Sequence, residues 1–328
     1  MYITSKFIKQ LLKSNKIYNK VVKDIRKDLY ELSFFNKIEI NEGNLKENFK
    51  NNFFSIFMLS LIEFLEVERE DIIKYGKCLF YIRGIVTCTD NIIDDERKGV
   101  IFLNGIEEKT TENTLLTLVL QKNLEKIIFE LDTKKTGISN KLLESVYLIA
   151  KSEGMRDRSI YENYPNYNFI SHEIHGGIGG ELLKIGVLVP LYREKNNKFK
   201  DISKALYCLG MSLQGLDDLC DMKEDFAAKK INLAISFFME KLDIDDMKAS
   251  KLNILNIDIT KEYLNKIINY AMKSFDILEE IGYPINKKLG MKLLFHLFKI
   301  RGLEDLWNIY KKEEEDEKNN FRIYAFND

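Results

Sequence analysis

The first group of residues that could do chemistry is a short acidic cluster, Asp90-Asn91-Ile92-Ile93-Asp94-Asp95-Glu96. Asp90 and Asp94 are four residues apart, so on an α-helix their side chains stack on one face. The segment that precedes the cluster is strongly apolar. Carboxylates at the end of a buried helix are costly unless a cation compensates their charge, so this cluster is a candidate cation site.

A second acidic cluster begins 127 residues after the first. Asp217, Asp221 and Asp225 follow a four-residue step, Asp218 adds an adjacent carboxylate, and Gln214 lies on the same side as Asp217. An apolar helical segment again comes before the acids. One acidic cluster is often only a solvated helix end. Two clusters that each end an apolar helix argue against that interpretation.

Both clusters suit Mg²⁺, which binds through one or two carboxylates together with water and phosphate oxygens. Two facing carboxylate ridges can hold several ions around a diphosphate, and we expect three Mg²⁺ ions acting as Lewis acids on the leaving group. The predicted metal ligands are Asp90, Asp94, Asp95, Asp217, Asp218, Asp221 and Asp225, of which Asp90, Asp94, Asp217 and Asp221 are the predicted catalytic residues. An EF-hand is excluded, because neither cluster has its Gly at loop position six or its Glu at twelve.

Composition indicates a globular protein made of helices. The 328 residues are 45% hydrophobic and 31% charged, and the net charge of -1 provides no bulk electrostatic case for binding nucleic acid. Three prolines are few enough for long helices. Four cysteines without CxxC spacing are typical of reduced cytoplasmic thiols. No apolar run reaches eighteen residues, so no transmembrane helix is expected.

Hydrophobic periodicity predicts helices along nearly the whole chain. We place them at 3–33, 45–65, 70–95, 112–131, 139–153, 166–189, 199–223, 231–241, 259–281 and 288–311. No linker rich in Pro, Gly or Ser divides the sequence, so we expect a single all-α domain over residues 1–328. Residues 311–328 form a charged C-terminal tail that ends in an apolar segment.

Residues 1–45 include a basic amphipathic helix. Its lysines alternate three and four residues apart and so form one stripe: Lys6, Lys9, Lys13, Lys16, Lys20, Lys23 and Lys27. The favoured interpretation is the solvated face of a surface helix. The alternative is peripheral contact with an anionic membrane surface.

The sequence resembles the trans-isoprenyl diphosphate synthase superfamily, which has the class I terpenoid synthase fold. The segment Leu209–Asp221 is similar to the second aspartate-rich motif of polyprenyl synthases, and its continuation to Leu233 is similar to squalene and phytoene synthases. The first cluster, followed by Arg97-Lys98-Gly99, resembles the first polyprenyl motif, but Asn91 replaces its second Asp. The resemblance covers roughly residues 50–240. It implies a bundle of about ten helices around a central cavity, and a prenyl diphosphate substrate.

A third similar segment, Ile170–Gly179, resembles the helix that passes the substrate pocket of squalene and phytoene synthases. The predicted pocket residues on it are His172, His175, Gly176 and Gly179. Each glycine inside a helix costs about 1 kcal/mol relative to Ala, so a close ligand or tight helix packing must offset the cost. The two histidines, three residues apart, share a helix face and are either a base for deprotonation or core residues. Candidates for binding the diphosphate are Arg156, Arg158, Gln214, Lys230, Arg322 and Tyr324.

The resemblance leaves several reactions open. Chain elongation needs a second diphosphate site, and residues 44–52 lack the Arg pair and Pro that elongating synthases carry in this region. The DxxxD spacing of the first cluster and the glycine-rich helix favour head-to-head condensation, whereas the intact Asp217-Asp218 pair favours a polyprenyl-like synthase or a terpene synthase. We expect a class I terpene synthase that ionises one linear prenyl diphosphate. The alternatives are a head-to-head prenyltransferase, then chain elongation, then a non-catalytic partner subunit. The sequence leaves the oligomeric state open, with a homodimer, the commonest soluble assembly, as one option.

Overall fold

The computed structural model describes residues 2–30, 38–40, 51–99, 101–133, 136–244, 257–300, 304–305 and 307. The helices are α1 (Tyr2–Tyr30), α2 (Phe53–Phe64), α3 (Arg69–Asp94), α4 (Lys109–Leu131), α5 (Ile138–Gly154), α6 (Tyr167–Arg193), α7 (Lys198–Cys220), α8 (Met222–Ala227), α9 (Leu233–Leu242), α10 (Ile257–Glu280) and α11 (Lys287–Ile300). A 3₁₀ turn at Arg158–Ile160 lies between α5 and α6. The strands are β1 (Ile38–Ile40) and β2 (Ile101–Leu103).

The predicted all-α fold class is confirmed, with one small addition. Strands β1 and β2 pair antiparallel, with Ile38 opposite Leu103. Each strand has only three residues, which is too short for an alternating pattern to appear in the sequence. Arg26 of α1 supports the pair by donating to the carbonyl oxygen of Ile40 at 3.1 Å.

The chain divides into two compact units, residues 1–144 with 185–203 and residues 145–184 with 204–328. The prediction of a single domain stays a prediction.

The core of the first unit is formed where α3 packs against α1 and α4. Two glycines of α3 mark the closest approaches: a Cβ on Gly76 would lie 2.6 Å from Val21, and one on Gly84 would lie 2.8 Å from Leu120. An ion pair of 2.6 Å between Lys77 and Asp28 joins α3 to α1 at the edge of this contact. Because these contacts extend along α3, they orient the helix that ends in the first acidic cluster.

In the second unit, α6 changes its hydrogen-bond register. Residues Ile170–Glu181 form a π-helix, in which each N–H bonds five residues back. Close packing on both sides accompanies this wide turn. A Cβ on Gly177 would lie 2.1 Å from Oγ of Ser152 in α5, and one on Gly179 would lie 2.7 Å from the carbonyl oxygen of Gly210 in α7. Ser152 also donates its hydroxyl to the carbonyl of Glu173 at 2.9 Å.

Helix α6 is the one described helix that is long and apolar enough to cross a membrane by length and composition alone. The buried share of its apolar window is 67%. Such burial is usual for the core helix of a globular protein.

The closest backbone contact between α6 and α7 makes a specific prediction. We expect Gly210→Ala to lower the free energy of unfolding by about 1–3 kcal/mol through overpacking, because the new methyl group would lie 2.1 Å from the carbonyl oxygen of Gly179. The matched control is Gly154→Ala, where no atom lies within 4 Å of the added Cβ. That control should be neutral or stabilising. Urea denaturation measures both, and equal losses would contradict the packing argument.

Candidate functional site

The first acidic cluster stands at the carboxyl end of α3. Asp90 and Asp94 lie one turn apart and are exposed. Asp95 follows with a left-handed φ of 51° and closes the helix through its N–H to the carbonyl of Asn91. The side chain of Asp95 is 84% exposed and lies 3.5 Å from Lys109. Carboxylates here adjoin the negative end of the helix dipole, which disfavours anions, so a bound cation would stabilise this helix end.

Asn91, the second residue of the cluster, turns inward and is only 4% exposed. Its amide nitrogen donates to the carbonyl of Lys98 at 2.8 Å and to Oδ1 of Asn113 at 3.1 Å. Its amide oxygen accepts from the N–H of Lys98 at 3.1 Å. A carboxylate cannot make the two donations. The departure from the Asp-Asp pattern therefore secures the loop after α3.

Arg97, in the basic sequence after the cluster, binds a buried carboxylate. Its Nε and Nη2 lie 2.7 and 3.0 Å from the oxygens of Glu112, whose side chain is 2% exposed. The same carboxylate accepts from the N–H of Leu103 at 2.7 Å. The guanidinium also lies over the ring of Phe102, 5.6 Å from its centroid. This two-point pair fastens the loop after α3 to β2 and α4.

The second acidic cluster divides into outer and inner carboxylates. Asp217 and Asp221 are partly exposed, and Asp221 stands at the break between α7 and α8. Asp218 and Asp225 are 1% and 8% exposed. The first four-residue step holds Asp217 and Asp221 at the outer side, while Asp218 is turned about 100° away from Asp217. The four-residue step of the sequence does not place Asp225 on the same face as Asp217 and Asp221, because the helix breaks at Asp221.

Asp218 is held from three sides within the second unit. Its Oδ2 lies 2.8 Å from Nε2 of His175 and accepts from the N–H of Leu233 at 2.5 Å. Its Oδ1 accepts from Nε2 of Gln214 at 3.0 Å. Burial raises the pKa of Asp218, but the charges of His175 and Arg156 more than offset this and the pKa lies below its usual range. Asp218 is therefore buried and bonded on three sides, with Gln214 as one partner, and its predicted role as a metal ligand stays a prediction.

Asp225 is bound to Arg156, which the sequence had suggested for the diphosphate. Nη2 of Arg156 lies 3.0 Å from Oδ2 of Asp225, and the same oxygen accepts from Nδ2 of Asn232 at 2.8 Å. Burial raises the pKa of Asp225, against the opposing effect of Arg156. The pair directs both side chains at each other in this structure, and their predicted roles in binding diphosphate and metal stay predictions.

Asn232 joins these two inner carboxylates and was not among the predicted site residues. It is fully buried and donates its amide to the carbonyl of Asp218 at 2.8 Å as well as to Asp225. Its Oδ1 accepts from the N–H of Ile235 and so caps helix α9. The signal available in the sequence was an Asn directly before an apolar helix, which is typical of an N-cap.

Arg158 and Lys230 lie in two loops of the second unit that are bonded to each other. The N–H of Arg158 donates to the carbonyl of Lys229 at 2.9 Å, and Asp157 pairs with Lys230 in a β-bridge. The guanidinium of Arg158 donates to the carbonyl of Tyr161. Arg158 therefore braces its own loop, whereas the side chain of Lys230 is half-buried beside the end of the second cluster. Arg322 and Tyr324 lie outside the described residues.

The π-helix separates the two histidines that the sequence placed on one face. His172 is exposed, whereas His175 is 1% exposed and bonded to Asp218. Among the described residues Nδ1 of His175 has no hydrogen-bond partner, so Nε2 alone holds the ring. A Cβ on Gly176 would lie 2.8 Å from the hydroxyl oxygen of Tyr207, and Gly179 meets α7 as described above. These contacts favour packing over a ligand as the reason for both glycines.

The outer carboxylates have the donor chemistry for Mg²⁺. They are hard oxygen donors that come in pairs, Asp90 with Asp94 and Asp217 with Asp221. Within the described part of the chain, no group of three His, Cys, Asp or Glu side chains is arranged to hold a metal by itself. Two carboxylates per ion, completed by water and phosphate oxygens, is the mode that Mg²⁺ commonly adopts.

Comparison with solved structures identifies the fold. No protein-family model and no curated protein matches the sequence. Octaprenyl pyrophosphate synthase from Helicobacter pylori is 14% identical with a TM-score of 0.58, over 87% of this chain and 98% of that one. A polyprenyl synthase from Caulobacter crescentus, complexed with calcium and isoprenyl diphosphate, is 13% identical with a TM-score of 0.57, over 93% and 96%. The chain therefore shares the fold of these two synthases.

The inward position of Asn91 can be tested by replacing its amide with a carboxylate. We expect Asn91→Asp to lower the free energy of unfolding by about 1–3 kcal/mol, because the new oxygen would face the carbonyl of Lys98 and Oδ1 of Asn113. Thermal or urea denaturation measures the loss. The matched control is Asp90→Asn, which makes the reverse exchange of one oxygen for one nitrogen at the exposed neighbour and should change stability little. A stable Asn91→Asp variant that gains affinity for Mg²⁺ would contradict the assignment.

The pair of His175 and Asp218 predicts an asymmetry between the two histidines of α6. We expect His175→Phe to cost about 3–5 kcal/mol, because it leaves a buried carboxylate without its imidazole partner. His172→Phe, at an exposed position of the same π-helix, should change stability by less than about 0.5 kcal/mol. Combining His175→Phe with Asp218→Asn should cost less than the sum of the single losses. Additive losses in urea denaturation would count against the pair.

Proposed function

We propose that this chain is a prenyltransferase that binds an allylic prenyl diphosphate with Mg²⁺ through both acidic clusters. The observation that carries the proposal is a geometry repeated in the two clusters: the first and fifth residues are outer, and the second is buried. The fold supports this assignment, because the solved structures that share it are named as prenyl diphosphate synthases. For this reason we favour prenyl transfer over the terpene synthase reaction that the sequence predicted.

In this proposal Asp90 and Asp94 hold Mg²⁺ in one cluster, and Asp217 and Asp221 hold it in the other. When bound, Mg²⁺ supplies Lewis acidity to the departing diphosphate. The buried neighbours act by positioning: Asn91 secures the loop after α3, and Asp218 fixes α7 against α6 and α9. Preorganised carboxylates of this kind need little rearrangement as charge develops on the leaving group.

Breaking the allylic C–O bond leaves the electron pair with the diphosphate and a carbocation on the prenyl group. In prenyl transfer, the double bond of an acceptor such as isopentenyl diphosphate attacks the cation, and the product loses one proton. Lys230, half-buried near the end of the second cluster, is the described candidate cation for the diphosphate. Lys is a usable point-charge partner for phosphate.

A class I terpene synthase, which ionises one prenyl diphosphate without an acceptor, is the second candidate. The observation in its favour is that the two basic residues after the first cluster, Arg97 and Lys98, form ion pairs with acidic side chains. Arg97 is bound to buried Glu112 and Lys98 is paired with Glu96, so both cations already have acidic partners. An enzyme that binds no second diphosphate does not require them. The predicted homodimer and cytoplasmic location stay predictions.

Product analysis tests the proposal. Purified protein with Mg²⁺ is given prenyl diphosphates of ten, fifteen or twenty carbons, with and without isopentenyl diphosphate, and with and without NADPH for head-to-head condensation. We expect longer prenyl diphosphates only when isopentenyl diphosphate is present. A hydrocarbon or alcohol of unchanged carbon number would establish the terpene synthase instead, and a doubled carbon number would establish head-to-head condensation.

Variants of the outer carboxylates make the same experiment specific. We expect Asp94→Asn and Asp217→Asn each to lower turnover on the order of 10²–10³-fold. Asp258→Asn, at an exposed carboxylate in the first turn of α10, is the matched control and should retain activity. Thermal stabilisation by Mg²⁺ with inorganic diphosphate should be lost in the same two variants. No turnover and no stabilisation of the unaltered protein would overturn both candidates.

A further inference from the structure

Helix α1 presents a continuous basic face that the proposed function does not use. We call the row Lys6, Lys9, Lys13, Lys16, Lys20, Lys23 and Lys27 the lysine face, and all seven residues are exposed. At about 100° per residue they fall within an arc of about 100°. Between Lys9 and Lys27 the helix rises about 27 Å, so the face is long and straight.

The side of α1 opposite the lysine face is buried in the first unit. Phe7, Leu11, Tyr18, Val22 and Ile25 are each no more than 6% exposed there. This side packs on α2 and α3, so the helix cannot turn its apolar side toward another surface without unfolding the contact. Any partner of α1 therefore meets the lysines.

Helix α1 itself contains few acids, one of which, Asp24, lies at the edge of the lysine face. Helix α1 contains eight basic residues and two acidic ones, whereas the whole chain has a net charge of -1. Of the two acids, Asp28 is turned to α3 and paired with Lys77. Lys13 is paired with Glu63 of α2. The positive charge is thus segregated on one face of a chain that is close to neutral overall.

Exposed apolar side chains flank the lysine face near both of its ends. Ile8 and Leu12 are 49% and 53% exposed near the start of α1, and Tyr30 is 61% exposed at its end. Aliphatic and tyrosine side chains beside lysines are suited to the boundary between lipid headgroups and acyl chains.

We propose that the lysine face binds the surface of an anionic phospholipid membrane, with α1 lying parallel to it. Charge complementarity supplies the attraction, at roughly a fivefold gain in affinity for each lysine near the surface. The flanking Ile8, Leu12 and Tyr30 favour a membrane over nucleic acid, since a duplex offers no apolar layer to receive them. Outside α1 the chain has a net charge of -7 (-1 for the whole chain less +6 for α1), so its bulk charge does not attract a nucleic-acid backbone.

Vesicle co-sedimentation of the full chain tests this. The probes are vesicles of phosphatidylcholine mixed with phosphatidylglycerol, vesicles of phosphatidylcholine alone, and duplex DNA at the same salt concentration. We expect binding to the mixed vesicles that weakens as salt rises, because screening shortens the range of the attraction. Failure to bind the mixed vesicles, equal binding to neutral ones, or tighter binding to DNA would each overturn the proposal.

Charge variants identify the surface that binds. Replacing Lys9, Lys16, Lys20 and Lys27 by Gln should weaken vesicle binding several-hundredfold, and replacing them by Arg should preserve it. The matched control replaces four exposed lysines elsewhere, Lys122, Lys126, Lys200 and Lys288, by Gln and should bind as the unaltered protein does. Far-ultraviolet circular dichroism checks that each variant is folded. A folded Gln variant of the lysine face that retains full binding would overturn the proposal, and the readout does not depend on any enzymatic activity.

Discussion

The buried carboxylate of Asp218 is the constraint on which the second unit depends. A carboxylate at 1% exposure is tolerable only with its charge and lone pairs satisfied, and three elements of the unit contribute to that. The π-helix of α6 supplies His175, α7 supplies Gln214, and the start of α9 supplies the N–H of Leu233. Moving any one of these elements would leave the charge uncompensated, so the carboxylate sets their relative positions. The same arrangement positions Asp217 and Asp221, which lie beside Asp218 at the end of α7.

The two acidic clusters solve the same geometrical problem with different chemistry. In each, the second residue is buried: Asn91 in the first and Asp218 in the second. Since successive residues of a helix turn by about 100°, the second residue of each cluster points to a different side from the first and fifth. The inward position is then free to be an amide where its neighbours are carbonyl oxygens, and a carboxylate where they are donors. This explains why Asn91 is compatible with an intact outer pair.

The inner and outer residues of the second cluster also belong to different layers of interaction. Asn232 connects Asp218 to Asp225, and Arg156 completes the network from a loop that is itself bonded to the segment before α9. The side chains bonded in this network include several that the sequence pattern predicts as ligands of metal or phosphate.

The sequence by itself determined the helical fold class, most helix positions and the two outer carboxylate pairs. Each of these depends on a residue pattern that repeats every three or four positions along the sequence. Such a pattern can be recognised without knowing which distant segments pack against it. Tertiary structure decided what periodicity cannot express. The π-helical part of α6 contains glycines that pack against Ser152 of α5 and Gly210 of α7. It also places His172 and His175 on different sides of the helix. Arg156 and Asp225 are 69 residues apart in sequence, so only the folded chain reveals that they form an ion pair. Whether a charged side chain is a ligand or an anchor depends on which donors surround it, and those donors come from distant segments.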